Sequence, residues 1–234
     1  MTPTQLVHLC RNIGVAGTLA AGTLGATPRA GAQVVYSQIA NDPCGFGFFS
    51  SSVARPNRNF KHADDFVIAG GASIERVRWW GQSEGRVALS LANFSAFKVE
   101  IFTSNTAGTI PVSLLRSETF TVAATGPTAT GRVAFDSGAT EFRHEVALGT
   151  PFSALAGVRY FLAISATPIV TSGDAWMWQD GRFVNGRSGV FSFTSGAWST
   201  FQDTDSAFEL IAVPGPGVPT GVMVGAVWVV RRRR

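Results

Sequence analysis

The sequence predicts an all-β protein: an antiparallel β-sandwich, jelly-roll-like, with an N-terminal signal helix and a short C-terminal transmembrane helix. Three observations predict it. Apolar residues in the middle of the chain recur with period two rather than 3.6. Gly, Pro, Asn and Ser interrupt them at short intervals, with 26 Gly and 11 Pro in 234 residues. Uncharged apolar runs flank this middle, each bordered by arginine. The resulting division is 1–32 signal peptide, 33–213 sandwich and 214–234 tail.

The strands follow in order. Asp65–Ile68, Ser73–Trp80, Ser117–Val122, Phe142–Ala147, Ala175–Gln179 and Gly189–Phe193 are rich in Val, Ile, Phe, Thr and Trp, which suit a pleated, half-buried surface. Alternation is strongest in three places. Phe97, Val99 and Ile101 alternate with Lys98, Glu100 and Phe102; Val158, Tyr160, Leu162 and Ile164 with Arg159, Phe161 and Ala163; and Phe208, Leu210 and Ala212 with Glu209 and Ile211. Gly70-Gly71, Ser104-Asn105, Gly126-Pro127, Gly173-Asp174 and Asn185-Gly186 mark turns. Many short antiparallel strands with turn signals imply a sandwich or barrel. The double-sheet jelly roll is the expected form, because it tucks its edges without closing in a membrane.

Charge is segregated. The net charge is +4. Arg11 and Arg29 lie before residue 33, Arg231, Arg232, Arg233 and Arg234 end the chain, and all 15 acidic residues fall between, where they outnumber the bases by two. A nucleic-acid binder needs a basic face on its folded body, so that class is excluded.

At the N-terminus, Arg11 closes a polar stretch, and Ile13–Ala26 is uncharged and apolar but rich in Gly and Thr, which are poor helix formers. Ala30-Gly31-Ala32 then puts small residues where signal peptidase reads them, so cleavage leaves Gln33 first. At the C-terminus, Val213-Pro214-Gly215-Pro216-Gly217 precedes the apolar run Val218–Val230 and the four arginines. The run spans about 20 Å as a helix against a hydrocarbon core of about 30 Å. The arginines stay on the cytoplasmic side. Such a tail holds a translocating chain briefly, with its body outside.

The order of motif, apolar run and Arg cluster over 213–234 resembles the tails of PEP-CTERM proteins, bacterial exports handled by exosortases. The resemblance implies processing by a membrane cysteine transpeptidase-like enzyme at the residues matching the family's Pro-Glu-Pro, here Pro214, Gly215 and Pro216, with Gly in place of Glu. Two other readings stay open: a sortase signal, since Val218-Pro219-Thr220-Gly221 is similar to Leu-Pro-x-Thr-Gly without the intervening residue, and a plain tail anchor. Asp64-Asp65-Phe66, Arg78-Trp79-Trp80-Gly81, Trp176-Met177-Trp178 and Ala207-Phe208-Glu209-Leu210 also resemble the marks of exported jelly-roll-like domains, and imply no activity. The expected partners are signal peptidase, an exosortase-like enzyme, the membrane before processing, and polysaccharide. The expected location is the cell envelope, outer surface or extracellular matrix.

Candidate sites are sparse. Two Cys make no disulfide framework, and Cys10 leaves with the signal, so the processed chain keeps Cys44 alone, with burial as its expected fate. Three His (His8, His62, His144) and no C-x-x-C pair lead to no expected cofactor or metal. Weak calcium candidates are Asp64, Asp65, Asp203, Asp205 and Glu209, which flank strands that often pair in jelly rolls; the alternative is that they serve turns and strand ends. Trp79, Trp80, Trp176 and Trp178 are glycan-binding candidates if exposed, and core filler otherwise. Trp79 and Trp80 point to opposite faces of a strand, so one can sit in the core while the other faces out. No G-x-S-x-G, H-E-x-x-H or P-loop is present, so no enzyme is expected. Glu141 and Glu145 form a carboxylate pair of the kind a glycosidase uses, with His144 read as a surface residue. Asn93-Phe94-Ser95 matches a glycosylation sequon. The expected function is an exported, sorted protein with a non-catalytic structural or adhesive sandwich, with a carbohydrate-binding module as the alternative and a glycoside hydrolase third.

Overall fold

The computed structural model describes residues 31–41, 47–54, 59–83, 91–133, 138–169, 175–182, 186–202 and 204–212. The signal helix and the transmembrane helix fall outside them. Thirteen strands follow in chain order: β1 (Gln33–Gln38), β2 (Gly47–Phe49), β3 (Phe60–Val67), β4 (Ala72–Ser83), β5 (Phe94–Ser104), β6 (Pro111–Thr121), β7 (Thr128–Val133), β8 (Thr140–Ala154), β9 (Arg159–Pro168), β10 (Trp176–Gln179), β11 (Arg187–Ser192), β12 (Ala197–Gln202) and β13 (Phe208–Ala212). Two single 3-10 turns, Leu91–Asn93 and Ala123–Thr125, are the helical elements among the described residues, and no described helix is long and apolar enough to cross a membrane.

Both sheets are antiparallel, and they pack as a sandwich. In sheet 1, β4 is the hub. One side of it pairs with β8, which pairs with β7; the other side is shared end to end by β13 and β10, with β1 beyond β13 and β2 beyond β10. Sheet 2 runs β12-β11-β3-β9-β5-β6. The first and last strands of the sandwich are neighbours, with Gln33 opposite Ala212.

Period two decides what enters the core. Phe97, Val99 and Ile101 of β5 meet Trp79, Phe208 and Leu210 of sheet 1 in one cluster that also holds Trp176 and Trp178. Gly81 of β4 is needed for this packing: a Cβ there would lie 2.3 Å from the Trp176 ring. The outward residues of sheet 2 are not all wet. Ala63, Phe102, Phe161 and Ala163 form a second small cluster with Trp198. Pro111 closes on it, since a Cβ on Gly189 would come 2.8 Å from its Cδ. Lys61 and Lys98 pair with Glu100 (2.6 and 3.0 Å) on the same side, and Arg159 pairs with Asp65.

The nine expected strands all lie on observed ones, Phe208–Ala212 with the same bounds. β1, β2, β7 and β12 were not anticipated. β2 has three residues, too few to show a period. In β7, Gly131 has φ +81° within a register shift, which breaks the alternation. In β8, Ala147 pairs with Arg76 and Phe152 with Ile74, so Leu148–Pro151 loop out. That loop reaches sheet 2, where Gly149 N–H donates to Glu118 at 2.8 Å.

Gly81→Ala is expected to destabilise the sandwich by about 1–3 kcal/mol, because the Trp176 indole must leave its place. Urea unfolding of the variant against the parent checks this; Gly189→Ala, pressed on Pro111, should behave similarly.

Candidate functional site

Sheet 1 does not cover sheet 2 completely. Its edge there is β2, which reaches β10 closely because Gly47 has no Cβ; one would lie 2.8 Å from the Trp178 carbonyl oxygen. Beyond β2 no described strand of sheet 1 lies over the inner face of β3, β11 and β12. On it Phe60, His62 and Asp64 follow one another along β3, with Val190 opposite His62 and Ser188 opposite Asp64, then Ser199 and Phe201 on β12. The opening is a groove of about 340 Å³ lined by Phe48, Phe49, Phe60, His62, Val190, Ser199 and Phe201.

His62 forms its wall and is only 1% exposed. Its ring stacks on Phe48 (4.6 Å between centroids, 15°) and meets Phe201 and Trp178 edge-on at 6.2 and 6.1 Å. Burial alone pushes the imidazole down to about 3, so it is neutral at neutral pH. Its backbone N–H donates to Ser50 Oγ at 3.1 Å, and Ser50 Oγ donates to the Ile164 carbonyl at 2.5 Å. Nε2 is buried without a hydrogen-bond partner. Phe60 and Phe201 are 43% and 42% exposed.

Two residues further along the same face, Asp64 is fully buried in a polar network. The backbone N–H of Ser206 donates to its carboxyl, as does that of Asp65 at 2.8 Å. Gln38, with its amide turned to satisfy both ends, donates to Asp64 Oδ2 and the Ser206 carbonyl at 2.8 Å each and accepts from the Tyr36 hydroxyl. Burial raises the Asp64 carboxyl well above the usual range, and nearby Asp205 adds to it against the opposing Ser206 hydrogen bond. Asp205, also buried, accepts from Gly186 N–H at 3.1 Å.

The predicted site residues go elsewhere, or divide. Trp79, Trp176 and Trp178 are 0, 2 and 0% exposed, so the glycan-stacking expectation is corrected for these three: they fill the core, where no sugar face reaches them. Trp178 Nε1–H donates to the Ala207 carbonyl at 2.9 Å. Trp80, on the other face of β4, is half-buried. The calcium candidates separate, because period two sends Asp64 and Asp65 to opposite faces and because β3 and β13 belong to different sheets. Asp65 pairs with Arg159, and Glu209 pairs with Arg78 at 2.6 Å. Only Asp64 and Asp205 come together; Asp203 lies outside the described residues. Among the described residues no group of three or more His, Cys, Asp or Glu side chains could hold a metal.

His144 is not on the surface but fully buried, stacked on Trp79 (5.2 Å, 9°) and bonded through Nδ1 to Thr125 Oγ1 at 2.8 Å; burial pushes it to about 3. Thr130 Oγ1 donates to buried Glu141 at 2.8 Å. Partial burial pushes Glu145 up, but hydrogen bonds from Arg78 and Arg76 outweigh it and hold the carboxyl below the ordinary range. Ala30, Cys44, Pro214, Gly215, Pro216 and Arg231 to Arg234 lie outside the described residues. Ala32 is exposed, and Gln33 is the first residue of β1.

Sequence reasoning missed the groove. The available signals were the aromatic tract Gly47-Phe48-Phe49 and the alternation Phe60, His62, Asp64, Phe66, where two polar residues occupy an otherwise apolar face.

Residues 34–211 match a family described as a domain of unknown function, DUF7901. The chain belongs to this family. The DUF7901 match begins in β1 and ends in β13, so it takes in the sandwich and the groove while both termini lie beyond it. No curated protein matches the chain.

The two neutral histidines predict a pH dependence of the DUF7901 sandwich. Unfolding frees each imidazole to bind a proton below about 6.5, whereas the folded chain resists protonation down to about 3. Their stabilisation is therefore complete above 6.5 and lost as pH falls through that window, on the order of a few kcal/mol together. Asp64 acts oppositely, keeping its proton in the folded state, so its contribution is present at low pH and lost as pH rises. Denaturant titrations at pH 7 and 5 should show the parent losing stability at pH 5, and His62→Phe/His144→Phe losing that decline.

Proposed function

We propose that this chain is an exported protein, sorted through its C-terminus to the cell envelope, outer surface or extracellular matrix, and that its jelly-roll-like sandwich is a non-catalytic structural or adhesive module. The observation that carries this reading is the tail: Pro214-Gly215-Pro216, a 13-residue apolar run and Arg231 to Arg234. An exosortase-like enzyme is the proposed partner there, and signal peptidase the partner at Ala32. The sandwich supports the reading. β1 opens at Gln33 and β13 closes at Ala212. Cuts after Ala32 and at 214–216 therefore remove no described strand and no described core residue.

A second reading, a binding module, is favoured by the groove. Its carbohydrate form through Trp79, Trp176 and Trp178 is not carried forward, since those indoles hold the sheets together.

Intact-mass analysis of envelope and medium from a native-like host tests the proposal. The expected product begins at Gln33 and ends near Pro214–Gly217. Replacing Arg231 to Arg234 by Ser removes the basic stop and should lower the processed form about tenfold. Full-length chain in the cytosol, arginines included, overturns the reading.

A further inference from the structure

We propose that the end of the sandwich from which the C-terminal chain leaves docks on a lipid bilayer surface, through the exposed apolar side chains Val34, Val112, Leu155 and Val158. This docking rests on the tail being held in a membrane before processing, and adds to it the face of the sandwich that meets that membrane.

Strand register places these residues together. Ala212 pairs with Gln33 at the start of β1 and with Ile74 near the start of β4, and Ala72 pairs with Ala154 at the close of β8. In sheet 2, Val67 pairs with Arg159, Thr103 with Tyr160 and Ser104 with Pro111, so β3, β9, β5 and β6 meet at that same end. Three turns close it and pack on one another. Gly157 N–H, between β8 and β9, donates to the Ile68 carbonyl, between β3 and β4, at 2.9 Å. A Cβ on Gly71 would lie 3.1 Å from the Ala154 carbonyl oxygen, and one on Gly108, between β5 and β6, 3.1 Å from Arg159 Nε. From this compact end project Leu155 and Val158 of the β8–β9 turn, Val112 near the start of β6 and Val34 of β1, all between 39 and 63% exposed. Apolar side chains bind the boundary of a bilayer with a strength that scales with the area they bury there.

Chain length decides the occupant. Exposed apolar residues lie toward the opposite end too, namely Val53, Val133 and Ile169. What singles out the first end is the chain that leaves it. Five residues, Val213 to Gly217, separate Ala212 from the apolar run Val218–Val230. Fully extended, they reach at most about 18 Å. β5 has 11 residues and runs from one end of sheet 2 to the other, a length of about 36 Å. If the opposite end met the membrane, Ala212 would stand about 36 Å above it, twice what the connecting chain allows. A bilayer that holds the run therefore lies against the end carrying Leu155 and Val158, and burial of these side chains fixes the orientation. Pro214 and Pro216, two and four residues past Ala212, are then kept at the boundary where a membrane enzyme works.

The test is photocrosslinking of the full chain in phosphatidylcholine vesicles, with p-benzoylphenylalanine in place of Leu155, of Val112, or of Val133 at the opposite end. Vesicle flotation reads the tail, and lipid adducts found by mass spectrometry read the docking. The chain should float, and positions 155 and 112 should give about tenfold more lipid adduct than position 133. Leu155→Asp/Val158→Asp should lower the adduct at 112 about tenfold. The double variant should still float, and should melt like the parent, since both side chains face water. Tethering without docking would leave that adduct unchanged. Val112→Asp with the probe at 155 makes the same comparison if the double variant fails to fold. A chain that does not float overturns the tail reading and the docking with it. A floating chain with equal adducts at 155 and 133, adducts undiminished by the Asp variants, or protein adducts in place of lipid ones overturns the docking and leaves the tail reading standing.

Discussion

The packing of three buried indoles between two sheets is the constraint on which this structure depends. Trp79, Trp176 and Trp178 share one core with Phe97, Phe208 and Leu210. Each indole occupies more volume than an aliphatic side chain, so the sheets must yield space opposite it. Gly81 yields it on β4, under the six-membered ring of Trp176. Both Trp176 and Trp178 project from β10, a strand of four residues buried on both faces. β10 joins β4 to β2, so the position of these rings decides where sheet 1 ends and therefore where sheet 2 is left uncovered.

Strand identity was legible because burial imposes alternation, and alternation survives in the residue order of β5, β9 and β13. The pairing was not legible. Nothing in a linear chain says that β13 and β10 share one side of β4, or that β3 and β13 lie in opposite sheets. The separation of the weak calcium candidates was hidden for that reason: Asp64 and Asp65 are adjacent in sequence and face opposite ways. His144 failed differently. Its neighbours Arg143 and Glu145 are solvent-facing residues of β8, but period two places His144 on the apolar side between them, against Trp79. The groove was hidden because its walls come from four strands, two of which, β2 and β12, were not anticipated.

Buried carboxylates and buried ring nitrogens inside the sandwich differ in how they are satisfied. Asp64 is buried and satisfied by Ser206, Asp65 and Gln38. Glu100 is buried and paired with two lysines. These groups tie strand to strand, because an unmet partner in a dry interior is costlier than the bond is favourable. Trp79 Nε1, Trp176 Nε1, His144 Nε2 and His62 Nε2 are instead buried without a hydrogen-bond partner among the described residues. The cost of leaving His62 Nε2 unpaired is tolerated where the ring also supplies aromatic contacts to Phe48, Phe201 and Trp178.

Gln33 pairs with Ala212, so the polypeptide enters and leaves the sandwich at one place. Both chain ends of the sandwich therefore sit at the same end of the fold as the turn between β5 and β6, because Ala212 pairs with Ile74 at the start of β4 while Val67, Arg159 and Thr103 share that end of sheet 2. A force applied at Ala212 falls first on β13, which is paired on both sides with β1 and β4. Pulling along the strand must then shear two hydrogen-bonded ladders together rather than unzip one.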